Sequence, residues 1–294
     1  MAVEKRPVER ADWAPGREPW DHWWRYLTPG PVHRRLGMVC LAVGAQHGRL
    51  PAVGPRTLGH HVAVVVLSGA GWFSRGGQPP IDVEAPCLLW LFPGVEHHYG
   101  PYEPGWAECF VDFTGTAVEA YAELGLIDPS QPVTPLSNAE PARLVVRKIM
   151  GAVRNGGPHS DVRAAAGVHE LLVTLLHSRV EDDTSGDRVL AALTRDAVEP
   201  WSVPEHARRL GLAPTELREA VRQGAGTSPK DFILTSRLNL AKELLATTDL
   251  PVAAVARRTG YDDPAYFTRL FTRRAGIAPS TFREQNFHRP PLDE

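Results

Sequence analysis

A chain of 294 residues is too long for one ordinary α/β or all-α domain and suits two. Apolar residues make up 43% and charged residues 22%, which excludes a disordered acidic tail, and the longest apolar runs (Val62–Leu67, Cys87–Phe92) fall far short of the ~20 residues of a bilayer span. The net charge of −2 is divided: Val189–Arg289 holds 15 basic and 11 acidic residues, against 17 and 21 in Met1–Arg188, so a modestly basic block follows an acidic one.

Met1–Trp20 is charged and Pro-rich without an apolar stretch, so no secretory signal is expected. Trp13, Trp20, Trp23 and Trp24 crowd this end. Buried packing is the simpler expectation for them, and an arm closing over a ligand is the alternative. Three widely spaced cysteines (Cys40, Cys87, Cys109) with no C-x-x-C give no disulfide framework and no Cys-based zinc finger, and suit a reducing cytoplasm.

Arg34 to Phe113 reads as β structure. Short apolar runs (Met38–Val43, Val62–Leu67, Leu88–Phe92, Cys109–Phe113) alternate with turn clusters such as Gly48–Pro55, Gly69–Gly71, Gly76–Pro80, Pro93–Gly94 and Pro101–Gly105. Many short strands with regular turn signals predict an antiparallel barrel or sandwich. From Thr114 the period changes. Ala117–Leu126, Ala139–Val153 and Val162–Val180 carry apolar residues at helical spacing, and such broad stripes need a partner, either the barrel or a second subunit. The acidic, Ser/Gly-bearing stretch Glu181–Asp187 reads as an interdomain linker.

The last third contains an internal repeat. VPEHARRLG (Val203–Gly211) matches VAAVARRTG (Val252–Gly260) at an offset of 49. After one inserted residue Leu217 pairs with Phe267, Val221 with Phe271, Gly226 with Gly276, Pro229 with Pro279 and Phe232 with Phe282. Each unit is a short helix, a Gly turn, a second helix and Gly-x-x-Pro. A small Ala (Ala207, Ala256) lets the first helix approach the second, the Gly four residues on (Gly211, Gly260) frees the turn, and Leu217 or Phe267 packs back. This is the logic of a helix-turn-helix, and two copies are too few for a solenoid. Asp231–Ala246 between them is a strong helix former whose ~24 Å could hold two recognition helices about one DNA turn (~34 Å) apart.

The string RLNLAKELLATTDLPVAAVARRTGYDDPAYFTRLFTRRAGIAPSTFRE (Arg237–Glu284) resembles the signature region of the AraC/XylS family of bacterial transcription regulators. GGQPPIDVEAPCLLWLFPGVEHHYG (Gly76–Gly100), VDF (Val111–Phe113) and RTLG (Arg56–Gly59) resemble the family's effector domain of the arabinose-regulator type. The resemblance implies a two-domain chain, β then all-α: a cupin-like double-stranded β-helix barrel with an N-terminal arm over 1–130, dimerisation helices over 131–180, a linker over 181–188, and a tandem helix-turn-helix domain over 189–289.

By the same resemblance, Ala265, Thr268 and Arg269 meet bases, while Arg273 and Arg274 meet phosphate. Thr272 shares their exposed helix face. Arg can grip guanine bidentately and a Thr methyl can meet the thymine methyl. The first recognition helix departs from the pattern, with Ala213 at the cap, Glu219 in place of Arg and Val221 in place of Phe; Arg218 and Arg222 are its available cations. Glu219 is either neutral surface or an acceptor for a cytosine amine. Arg208, Arg209, Arg257, Arg258 and Lys230 are further phosphate candidates.

In the barrel, Arg56, Tyr99, Glu108 and Phe110 match pocket positions of the arabinose-regulator type, with Glu108 standing where the relative has a His. A sugar or sugar derivative is the implied effector. Two His pairs, His60–His61 and His97–His98, raise a competing reading as a metal-dependent cupin enzyme with an accessory helical domain. Adjacent His residues in a strand point to opposite faces and no Glu follows at ligand spacing, so His97 or His98 as a pocket polar group is favoured over a metal ligand. No G-x-S-x-G, P-loop or Rossmann glycine run occurs, and no cofactor is expected. The expected partners are double-stranded DNA, a small effector and a second copy of the chain, with RNA polymerase as a further candidate and no membrane. A protein-interaction adaptor without nucleic-acid affinity is the third reading.

Overall fold

The computed structural model describes residues 22–179 and 186–287. Trp13 and Trp20, and residues 181–185 of the expected linker, lie outside the described residues. The chain divides into two compact units, Met1–Ala122 with Leu126–Val180, and Glu181–Glu294 with Glu123–Gly125.

The first unit is a β domain. Its strands are β1 (Trp23–Tyr26), β2 (Val39–Gly48), β3 (Val53–Arg56), β4 (His61–Arg75), β5 (Ile81–Glu84), β6 (Cys87–Leu91), β7 (His97–Thr114) and β8 (Val133–Pro135), with the short α1 (Pro31–Arg34) and α2 (Ala117–Glu123) between them. All pair antiparallel in one sheet of order β1-β2-β7-β4-β6-β8, with β3 on β7 and β5 on β4. Two turn signals behave differently from expectation. Gly69–Gly71 lies inside β4 and Pro101–Gly105 inside β7. Gly69 pairs with Trp106 and Gly71 with Pro101, so four residues of β7 bulge out where β4 spends one. The bulge bends the long strands without ending them, so that β7 serves β2 with its second half and β3 with its first.

Val62 to Val66 is buried without a break. Val62, Val64 and Val66 join Phe73, Leu89, Leu91, Tyr99 and Trp106 in one core. Ala63 and Val65 face the other way and are buried as well, because α3 (Glu140–Asn155) and α4 (Ser160–His177) pack together and onto the sheet. Val146, Ile149 and Met150 of α3 and Val168, Leu171, Leu172 and Leu175 of α4 supply the buried stripes. Leu144, Val162 and Val173 stay exposed. The three cysteines are free and buried, and burial pushes each thiol up to about 12, which makes them packing residues.

Among the described residues the second unit is helical: α5 (Gly186–Arg195), α6 (Val203–Arg209), α7 (Pro214–Ala225), α8 (Pro229–Thr247), α9 (Val252–Arg258), α10 (Pro264–Ala275) and α11 (Pro279–Asn286). The helix of α5 opens inside the stretch expected as linker. The repeat folds as two cores. Val189, Leu193, Ala197, Ala207, Leu217, Val221 and Ile233 form one; Leu238, Ala241, Leu245, Val255, Ala256, Phe267, Leu270 and Phe271 form the other. Both Gly turns have positive φ, +70° at Gly211 and +82° at Gly260. The helix α8 gives Ile233 to the first core and its later residues to the second, so its apolar residues do not lie in a single stripe. Its start is set by Ser228, whose Oγ accepts from the Asp231 amide at 3.1 Å.

Candidate nucleic-acid interface and ligand cavity

In α10 the buried side is Phe267, Leu270 and Phe271. Helical spacing puts Ala265, Thr268, Arg269, Thr272 and Arg273 on the opposite side, where all but the half-buried Thr268 are exposed. Asp263 accepts the Ala265 amide at 2.8 Å and fixes the helix start. Thr268 and Thr272 each donate their hydroxyl to the carbonyl four residues back, Pro264 and Thr268, both at 2.8 Å. That uses the hydroxyl protons inside the helix and suits the methyl groups for apolar contact. Arg269 and Arg273 make no ion pair among the described residues; Arg274 is held by Asp231 at 2.9 Å.

The first copy is more encumbered. Ala213 has no side chain to cap α7, and the Glu216 carboxylate accepts its amide at 2.6 Å instead. Arg218 is exposed without an ion pair among the described residues. Arg222, expected to be available, donates to both Glu219 oxygens at 2.6 and 3.0 Å. Gln223 donates to the same carboxylate at 2.8 Å, so both Glu219 oxygens are engaged within the helix, and the Arg222 contact holds its carboxyl below the usual range. Arg208 and Arg209 are likewise paired with Glu205. These exposed pairs are worth little each.

Arg237 ties the two halves of this unit together. From α8 it donates Nε to the Ala197 carbonyl at 2.6 Å and Nη2 to that of Glu199 at 2.9 Å, both just before α6. Its Nη1 donates to the Gly260 carbonyl at 3.1 Å, in the turn of the second copy. The guanidinium carbon sits 5.4 Å from the Tyr261 ring centre.

The β domain holds a cavity of about 460 Å³. Alternation along β7 turns Glu108, Phe110 and Asp112 to one face, and all three line it. Gln46 of β2 pairs with Glu108 in the register and donates Nε2 to its Oε1 at 2.6 Å. His60 Nε2 lies 3.0 Å from Asp112 Oδ2. Arg56, Tyr99, Trp24 and Tyr26 complete the polar and aromatic wall. Burial raises the Glu108 carboxyl, while Gln46 and Trp106 N–H groups and the Arg56 charge pull it back. Burial likewise raises Asp112 against the opposing pull of His60.

Of the expected effector residues, Arg56, Tyr99, Glu108 and Phe110 line the cavity, and His97 does not. His97 is 2% exposed; its Nδ1 meets the Val95 carbonyl at 3.2 Å and its Nε2 accepts from Arg56 Nε at 3.2 Å. Both ring nitrogens are used, and burial, then the Arg56 charge, holds the ring below the ordinary imidazole value and therefore neutral, a support for Arg56. His98 packs edge-on against Trp72. The pocket histidine is His60, from the other pair. Trp24 is not buried as expected: it is 50% exposed and borders the cavity. Asp112, Gln46 and His60 were absent from the expected set; the period-2 step from Glu108 through Phe110 leads straight to Asp112. No cluster of three or more His, Cys, Asp or Glu able to hold a metal occurs among the described residues, and no helix there is long and apolar enough to cross a membrane.

A family model described as an AraC-like ligand binding domain matches residues 40–172, and a helix-turn-helix domain model matches residues 206–285. The chain joins an AraC-like ligand-binding domain to an AraC-type helix-turn-helix domain and is homologous to AraC-family regulators. The cavity wall from Leu41 to Asp112 lies within the first match, with Trp24, Tyr26 and Leu27 ahead of it, and both recognition helices lie within the second. Among curated AraC-family relatives, the chain is 27% identical over 244 residues to the arabinose operon regulatory protein of Salmonella typhimurium (76% of this chain, 83% of the relative). It is 28% identical over 239 residues to that of Escherichia coli K12 (76% and 80%). It is 22% identical over 233 residues to the lactose operon transcription activator of Staphylococcus xylosus (74% and 82%).

Proposed function

We propose that this chain is a cytoplasmic, homodimeric transcription regulator that reads double-stranded DNA with both helix-turn-helix units and answers to a small effector held in the β-domain cavity. One observation carries the reading: two repeated helical units, braced by a shared helix, stand on the same chain as a cavity lined by polar and aromatic side chains. Arg218, Ala265, Thr268, Arg269 and Thr272 serve as base-facing residues, and Arg222, Arg273 and Arg274 as phosphate contacts. Arg56, Tyr99, Glu108 and Phe110 bind the effector, joined by Gln46, His60 and Asp112, with His97 holding Arg56. The relatives' names, two arabinose operon regulators and a lactose operon activator, support a sugar or sugar derivative. Exposed Leu144, Val162 and Val173 on α3 and α4 support a second copy as partner, and RNA polymerase is the partner expected during activation. We assign no catalytic role. The effector acts by binding one arrangement of the dimer more tightly than the other, since equal affinity would shift nothing.

Binding of the full chain to labelled duplex from the region flanking its own gene tests this. The expected result is affinity at least a hundredfold above random duplex, with a steep fall as salt rises. Equal affinity for both duplexes refutes it.

A further inference from the structure

Resting on the effector reading, we propose that the cavity selects a ligand bearing a protonated amine, an amino sugar, whose nitrogen pairs with Glu108.

Glu108 is 1% exposed. Glu108 lines the cavity; its Oε1 accepts from Gln46, while its Oε2, closed to solvent, has no hydrogen-bond partner. The Trp106 indole N–H favours the charged carboxylate without completing a hydrogen bond to it. A buried carboxyl with an open lone pair is costly until a ligand supplies a donor.

The charges around the cavity decide which donor. Two carboxyls line it, Glu108 and Asp112, and Asp112 has His60 at 3.0 Å. The one guanidinium on the wall, Arg56, is solvent-exposed; its Nε is spent on His97, and it makes no ion pair with Glu108. Two carboxyls therefore face a single cation across the described wall, and the Arg56 charge reaches both without an ion pair to either. A sugar hydroxyl donating to the Glu108 carboxylate leaves its buried negative charge unbalanced, whereas an ammonium donates and supplies the compensating charge. Phe110, next to Glu108 on the same strand face, offers an aromatic surface to the same cation. A uronic acid would set a third carboxylate against the two already present.

The test is isothermal titration of the full chain at neutral pH, where the amine is largely protonated and acid has not discharged the raised Glu108 carboxyl. The probes are D-glucosamine and D-galactosamine against D-glucose, D-galactose, N-acetyl-D-glucosamine and D-glucuronate. At least one amino sugar should bind tenfold or more tighter than its parent hexose and its acetylated form. The near-isosteric Glu108→Gln should reduce that preference to about onefold. Equal or tighter binding of the hexose, the acetylated sugar or the uronate overturns the proposal, as does no binding by any probe, or a preference that survives in Glu108→Gln. The first comparison needs only the wild-type chain and stands if the variant fails to fold. Duplex binding measured on the same preparation separates the two readings. Specific duplex binding without amine preference removes this inference alone; amine preference without specific duplex binding removes the regulator instead.

Discussion

Arg237→Ala should unfasten the two readers from each other. The wild-type guanidinium makes three charge-assisted bonds to main-chain carbonyls, two in part-buried surroundings (Ala197, Gly260) and one exposed (Glu199). Hydrogen bonds to charged groups contribute about 1.5–3 kcal/mol when shielded, and an exposed one loses most of that to water. Taking about 1.5 kcal/mol for each shielded bond and about 0.5 kcal/mol for the Tyr261 contact gives a loss of about 3.5 kcal/mol. For a helical unit of roughly 100 residues, at about 4–8 °C per kcal/mol, the melting temperature should fall by roughly 14–28 °C. Scanning calorimetry of the full chain, following the transition of the C-terminal unit, reads this directly. Arg237→Lys keeps the charge but loses the planar fork, so it should recover less than half of the loss. Duplex affinity should fall with stability, because the carbonyls belong to both halves of the unit. A variant within 0.5 kcal/mol of wild type, or a Lys variant equal to Arg, would refute the role.

Other outcomes follow from the same geometry. Gly211→Ala should cost about 1 kcal/mol from its positive φ alone, since a Cβ there meets nothing within 4 Å, whereas at Gly260 it would lie 2.6 Å from the Val198 carbonyl and should cost about 2–4 kcal/mol in urea unfolding; equal costs would contradict this. Burial raises the Glu108 pKa, so its stabilising contribution is fully present below the ordinary carboxylate value and is lost as pH rises through the folded value. Unfolding curves should therefore show Glu108→Gln level with wild type near about pH 4 and more stable at neutral pH, and a gap of opposite sign would be inconsistent with that cause. Arg269→Ala should weaken specific duplex binding by about 1–3 kcal/mol and relax preference at one base position, seen by titrating single-base variants; an unchanged profile would remove Arg269 from base reading.

Much of this was readable in the chain because the repeat compares the sequence with itself. Aligning Leu217 with Phe267 and Gly211 with Gly260 located both cores and both turns without outside information. The strands were legible from apolar runs, but Gly69–Gly71 and Pro101–Gly105 look the same in sequence whether they end a strand or bulge it; only pairing across β4 and β7 decides. The cavity was half legible. Arg56, Tyr99, Glu108 and Phe110 came from resemblance, while Gln46 and His60 reach it through cross-strand neighbours far away in the chain. Pairing states were the least legible: Arg222 and Arg274 read as available cations, and only side-chain placement ties them to Glu219 and Asp231.

The spine α8 is sunk into both cores at once, with Ile233 in one and Leu238, Ala241 and Leu245 in the other. An α-helix turns about 100° and climbs ~1.5 Å with each residue. Inserting or deleting a single residue between Ile233 and Leu238 would swing the downstream reader a quarter turn out of phase with its twin. The helix thus acts as a ruler of invariant length: where binding sites differ in the interval between their two half-boxes, the DNA must twist or bend to meet the protein.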